Sequence, residues 1–190
     1  MTLPALLRIS RVPLADAPAE LLGGAAPPSG FLSYVTQPQL QANWCWAAVS
    51  SGVARYYDAA TRWTQCRIAE AELGRECCGP EAEGACNIPW FLNRALTRVG
   101  HLDRWAAGPV TFAEIVQSID ARDPLCVRIA WVQGGAHFVA LYGYGEGTGA
   151  GDPTVVSVSD PRYGNSDVPY SEFRDRYRET GEWTHAYLCA

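Results

Sequence analysis

Apolar residues recur at helical spacing in the first half of this chain and gather into strand-like runs in the second, and few folds accept that order. Trp46, Val49, Val53 and Tyr56, with alanines between them, predict a helix from Ala47 to Tyr57. Phe91, Leu92, Ala95, Leu96 and Val99 predict another, opened by Pro89 and stopped by Gly100. Thr111, followed by Glu114, is placed to cap a third that runs to about Ala121. Leu125–Val132, His137–Tyr144 and Thr154–Ser159 are then rich in β-branched and aromatic residues and predict strands. Phe31–Val35 reads as a short early strand, Tyr170–Arg178 as a short amphipathic helix and Trp183–Cys189 as a closing strand. Residues 62–86 read as loop-rich and hold Cys66, Cys77, Cys78 and Cys86. Gly145–Gly151 imitates a phosphate loop, but with no lysine and no following helix it is a hairpin turn. No internal repeat is visible. Helices first and strands second imply an α+β domain of two lobes.

Pro4, Pro13, Pro18, Pro27, Pro28, Gly23 and Gly24 make residues 1–30 an extended arm or leader. Residues 31–190 are then one domain, long enough to bury a core without disulfides. All 15 cationic side chains are arginine. Without lysine there is no Schiff-base lysine, no phosphate-loop lysine and no Ser-Lys dyad. A net charge of −5 excludes a general nucleic-acid binder and mildly favours basic substrates. The N-terminus lacks the basic leader and apolar core of a secretory signal, and no apolar run approaches a membrane span. The expectation is a soluble, monomeric protein that meets no membrane, cytoplasmic by default, with export by a signal-less route left open. Absent lysine accords with a GC-rich genome; it would also deny ubiquitin a side-chain amine if the protein acted inside a eukaryotic cell.

The strongest chemical signal is Gln39-Leu40-Gln41-Ala42-Asn43-Trp44-Cys45-Trp46-Ala47-Ala48. Cys45 falls where a helix begins. A helix N-terminus carries partial positive charge, which favours thiolate, and offers free backbone N–H groups to an oxyanion. Gln39 can add a side-chain N–H. Taken alone, Cys45 is as well a small core residue between two tryptophans. His137 starts an apolar strand behind Gly134-Gly135, where it can face a cleft and act as base toward Cys45, or else be a structural histidine. Asp160 ends the next strand, so antiparallel pairing would bring it to His137 as the orienting third group. The competing reading is a turn-forming Asp160-Pro161.

Together these pieces resemble the papain-like cysteine peptidases. Gln39, five residues, then Cys45-Trp46-Ala47 matches the oxyanion glutamine, nucleophile and following aromatic, and His137–Gly145 looks like the histidine strand. Trp63–Trp90 looks like the family's helix followed by a cysteine loop, with Cys86-Asn87 and Pro89-Trp90 as landmarks. Trp44-Cys45-Trp46 and Asp160-Pro161 are closest to the compact bacterial branch of AvrRpt2-like effector peptidases and C39-like peptidases. The resemblance covers about residues 31–189. It implies a papain-like fold, a helical lobe bearing the nucleophile against an antiparallel β-sheet lobe. It also implies a Cys45-His137-Asp160 triad assisted by Gln39, no cofactor, no metal, and a protein or peptide substrate touched by Trp44, Trp46 and Asn87.

The chain departs from papain in several places. Ala42-Asn43-Trp44 stands where papain has Cys-Gly-Ser/Ala before its nucleophile, and Ile88-Pro89 stands where a Gly-Gly pair binds substrate backbone. Ninety-two positions separate Cys45 from His137, against ~130–150 in papain relatives. Asn165 competes with Asp160 as third residue, since papain uses asparagine. Cys66, Cys77, Cys78 and Cys86 lack zinc-ligand spacing, and the family often staples this loop with one or two disulfides. Adjacent Cys77 and Cys78 would seek different partners, such as Cys66 and Cys86, with the connectivity open. A staple would mean an oxidising destination. Cys126 reads as a buried strand residue, and Cys189 carries no assignment. The same triad serves amidases, deamidases and transglutaminase-like enzymes, and a vestigial site would leave a peptide-binding module. Gly23-Gly24-Ala25 is a small-residue stretch where the arm could be cut.

Overall fold

The computed structural model describes residues 29–79, 83–147 and 153–190. The arm, with Gly23-Gly24-Ala25, lies outside the described residues. The chain runs β1 (Gly30–Phe31), α1 (Cys45–Tyr57), α2 (Gln65–Leu73), α3 (Glu83–Cys86), α4 (Leu92–Val99), β2 (Leu102–Ala107) and α5 (Phe112–Asp120). It continues through β3 (Leu125–Trp131), β4 (Ala136–Glu146), β5 (Thr154–Asp160), β6 (Gly164–Pro169), α6 (Tyr170–Arg176) and β7 (Gly181–Cys189). The strands form one antiparallel sheet in the order β2-β7-β3-β4-β5-β6, and β1 pairs with the C-terminal half of β4. α1, α2 and α4 pack on one another, and α1 also lies against β4. This is the helical lobe against a sheet lobe, sharing one continuous core.

α1 is the central helix. Trp46, Val49 and Val53 are buried on one side, and Ala47, Ala48, Ser50, Ser51, Gly52 and Ala54 are buried around the rest. A helix buried nearly all round needs small residues so that its neighbours can approach. Gly52 shows the closest approach, because a Cβ there would lie 2.7 Å from the Tyr34 hydroxyl. α4 buries Leu92, Ala95, Leu96 and Val99, the i, i+3, i+4, i+7 stripe, and Gly100 ends it in the left-handed conformation. It begins at Leu92, not at Pro89, because Phe91 is extended and the Trp90 indole is drawn to Glu72 Oε2 at 2.8 Å. α5 starts with the expected capping box of Thr111 and Glu114.

Several expectations are corrected. The early strand stops at Phe31: Leu32 still donates to Tyr142 O, but Thr36 N turns to the Ser159 hydroxyl, and the chain leaves the sheet. The loop-rich stretch at 62–86 contains α2, capped by Thr64 and closed by Gly74. Buried Gln65 and Glu72 interrupt its apolar pattern, which hid it. Glu72 is held by Arg94 and Arg98 at 3.3 and 2.9 Å. β2 and β6 were also missed: β2 is an exposed edge and β6 is largely polar, so both are strands only through β7 and β5. Glu146 pairs with Thr154, so a hairpin joins β4 to β5, and residues 148–152 of its turn lie outside the described residues. Among the described residues, no helix is long and apolar enough to cross a membrane.

Candidate active site

Cys45 is the first residue of α1, and the preceding Trp44 supplies no side-chain cap. Helix starts favour Ser, Thr, Asp or Asn at that position, whose side chains consume the free N–H groups. Here those donors stay available beside the thiol.

The turn before Cys45 is fixed from the strip 86–88. Trp44 Nε1 donates to Cys86 O at 2.7 Å, and Trp46 Nε1 to Ile88 O at 3.1 Å. Asn43 N donates to Asn87 Oδ1 at 2.8 Å, and Asn43 Nδ2 to Asn87 O at 3.0 Å. Cys86 is bonded to Cys77, and Cys66 to Cys78. The four loop cysteines are therefore two disulfides and not a zinc site, and adjacent Cys77 and Cys78 do take different partners. The three residues expected to touch substrate all take part in this local packing. Trp44 is buried, Trp46 lines the cleft wall, and the Asn87 side-chain oxygen accepts from Asn43 N.

His137 follows Gly134 and Gly135, whose φ values of 93° and 83° turn the chain into β4. Its Nε2 lies 2.8 Å from Asp160 Oδ1, and the side chains are 6% and 0% exposed. The ring lines one cleft with the Cys45 thiol. Trp131 stacks beside the imidazole, and Tyr163 meets it edge-on. Burial disfavours the charged ring, but the bonds and charges of Asp160 and Cys45 outweigh it and raise His137 to about 9.

Asp160 is the last residue of β5, and pairing of β5 with β4 brings it to His137. Its Oδ1 also accepts from Arg162 N at 2.7 Å and Tyr163 N at 3.0 Å, and Oδ2 accepts from Tyr177 Oη at 2.9 Å. Burial pushes the carboxyl up, yet His137 and the two backbone donors hold it below the usual carboxylate range. Tyr177 is itself pushed up, by burial and then by the charge of Asp160. Asn165 instead accepts from the Ser159 hydroxyl at 2.9 Å. Its side-chain oxygen is spent there, while Asp160 is the group bonded to the imidazole.

Gln39 stands in the same corner. Its backbone N donates to Pro161 O at 2.9 Å, and its Nε2 donates to Gln41 O and Ala42 O at 2.9 and 2.7 Å. Gln65 holds this segment from α2, accepting from Leu40 N and donating to Pro38 O. Tyr177 and Gln65 carry no signal in the sequence reading. Each acts across a long separation, and no local pattern marks them.

Cys45 and His137 open into a cleft of about 940 Å³ between the lobes, lined also by Trp90, Phe91, Trp105, Arg128 and Arg162. Its described lining contains no carboxylate.

A cysteine at a helix start, facing a histidine held by an aspartate across two strands, is the arrangement of a papain-like cysteine peptidase. Residues 31–178 match the family model described as papain-like cysteine protease AvrRpt2, and the chain belongs to that family. A similar solved structure is a double glycine motif protease from an AMS/PCAT transporter, crystallised with the leader peptide. It is 19% identical, covers 85% of this chain and 95% of its own, and has a TM-score of 0.44. None of the curated proteins compared with the chain matches it.

Proposed function

We propose that this protein hydrolyses peptide bonds through a Cys45-His137-Asp160 triad. The observation that supports this most is the imidazole of His137, bonded to Asp160 at 2.8 Å and sharing one cleft with the thiol at the start of α1. In this reading the Cys45 thiolate attacks the scissile carbonyl, forming a C–S bond. The charge passes to the carbonyl oxygen, which the uncapped N–H groups of α1 receive. Imidazolium His137 gives its proton to the leaving amine as the C–N bond breaks. His137 then takes a proton from water, and the hydroxyl displaces the thiolate from the thioester. Gln39 serves as the second oxyanion donor by exchanging one of its two backbone carbonyls for the substrate oxygen. Catalytic hydrogen bonds commonly tighten into place only in the complex.

Cys45→Ala is expected to abolish both peptide cleavage and covalent capture of a thiol-directed inhibitor, measured by mass spectrometry against wild type. Equal cleavage by the two proteins would refute the reading. Gln39→Ala is expected to lower turnover more than affinity, by on the order of 3 kcal/mol at the transition state. An amine acceptor in the assay separates hydrolysis from amide transfer.

A further inference from the structure

We propose that Arg128 selects substrates carrying an acidic side chain close to the scissile bond, an inference that rests on the peptidase reading above. Arg128 lies in the middle of β3, between buried Val127 and Ile129. It is paired with Phe138, the residue after His137, on one side and with His185 on the other. It lines the same cleft as Cys45 and His137. A guanidinium is always charged and carries five N–H donors in a fork that fits a carboxylate. The bond found for this side chain is from Nη1 to the neutral hydroxyl of Thr184, at 2.8 Å. Among the described residues it forms no ion pair, whereas Arg94 and Arg98 meet at Glu72 and Arg174 meets Asp175. A half-buried cation with no counter-charge is costly, and a ligand carboxylate would remove that cost.

The surroundings fit the same ligand. His185 is lowered from its ordinary value, first by burial and then by Arg128, so it adds no competing positive charge. Trp105, His185 and Tyr187 lie with their rings within 21–32° of parallel, which gives an apolar wall beside the guanidinium for the stem of a side chain. Arg162 is a second cation in the described lining, and no Asp or Glu opposes either one. Among the described residues the acidic side chains therefore lie outside the cleft lining, and basic substrates, which the net charge alone favours, are the wrong match for it.

The test uses peptide pairs that differ only by Asp against Asn, or Glu against Gln, at each position flanking the cleaved bond. kcat/KM is measured for wild type, Arg128→Gln and Arg128→Glu. At one position wild type is expected to prefer the acid by roughly tenfold or more, as for a charge-assisted hydrogen bond, and the preference should shrink at high salt. In Arg128→Gln the ratio should collapse toward one, and in Arg128→Glu a basic residue should be favoured there. Cleavage with no acid preference at any position would overturn the inference and leave the peptidase reading standing, as would a preference that survives Arg128→Gln. If no peptide is cut and Cys45 captures no inhibitor, the peptidase reading fails and takes the role of Arg128 with it. Should a variant fail to fold, the wild-type ratio and its salt dependence decide.

Discussion

Replacing Asp160 by Asn keeps the shape of the side chain and one acceptor oxygen but removes the charge that His137 meets. The imidazole rises from 6.5 to about 9 in the folded protein. At about 1.36 kcal/mol for each tenfold change, that difference is worth about 3 kcal/mol, shared between Asp160 and Cys45 after burial has taken its part. Asp160 comes before Cys45 among the causes that raise it, so roughly half or more, about 2 kcal/mol, should go with the charge. Because folding raises the value for His137, this stabilisation is present in full below 6.5 and is lost as the pH climbs through about 9. Asp160 shows the other side of the same interaction. Its value is lowered on folding, so its contribution is present above 3.8 and is lost as the solution is acidified below that. The two descriptions are one interaction and are not summed.

Asp160→Asn should therefore lower Tm at pH 7 by about 4–8 °C, taking 2–4 °C per kcal/mol for a chain of this size. The penalty should narrow above pH 9, where wild type has lost the imidazolium as well. In kcat/KM the basic limb should move from near 9 toward 6.5, as the ring at pH 7 falls from almost wholly protonated toward about one-quarter. Thermal melts at pH 7 and 9.5, with a pH–rate profile on a cleaved peptide, measure both effects. A variant whose basic limb and Tm both match wild type would refute the coupling between Asp160 and His137.

Other outcomes follow from the same contacts. Tyr177→Phe leaves Asp160 Oδ2 buried without its donor, so it should cost about 1–3 kcal/mol in urea unfolding and reduce turnover without altering the substrate preference. Denatured, non-reduced protein should show three free thiols, Cys45, Cys126 and Cys189, whereas seven would dismiss both disulfides. Gly52→Ala, normally a gain in a helix, should instead destabilise by about 1–3 kcal/mol, because its methyl meets Tyr34 Oη at 2.7 Å and Val35 O at 3.3 Å. A rise in Tm would show that Tyr34 can yield.

Sequence alone determined what rests on neighbours along the chain. The α1 stripe, the Thr111–Glu114 capping box and the runs of β3, β4 and β5 follow from local spacing and propensity. Cys45 at a helix start and His137 behind two glycines each carry their chemistry within a few residues, and it was the resemblance to papain-like peptidases that joined them across 92 positions. Asp160 was legible because strands that succeed one another usually pair. Tertiary structure alone decided the rest. Tyr177 reaches Asp160 across 17 positions, and Trp44 reaches Cys86 across 42. Pairing across such separations depends on how loops close, and that is not written in local patterns. The same holds for the sign of the cleft. Charge counted along the chain is −5, yet β3 and the turn after β5 bring Arg128 and Arg162 to the cleft and leave the described lining without a carboxylate, because a pocket samples only the side chains that the fold aims at it.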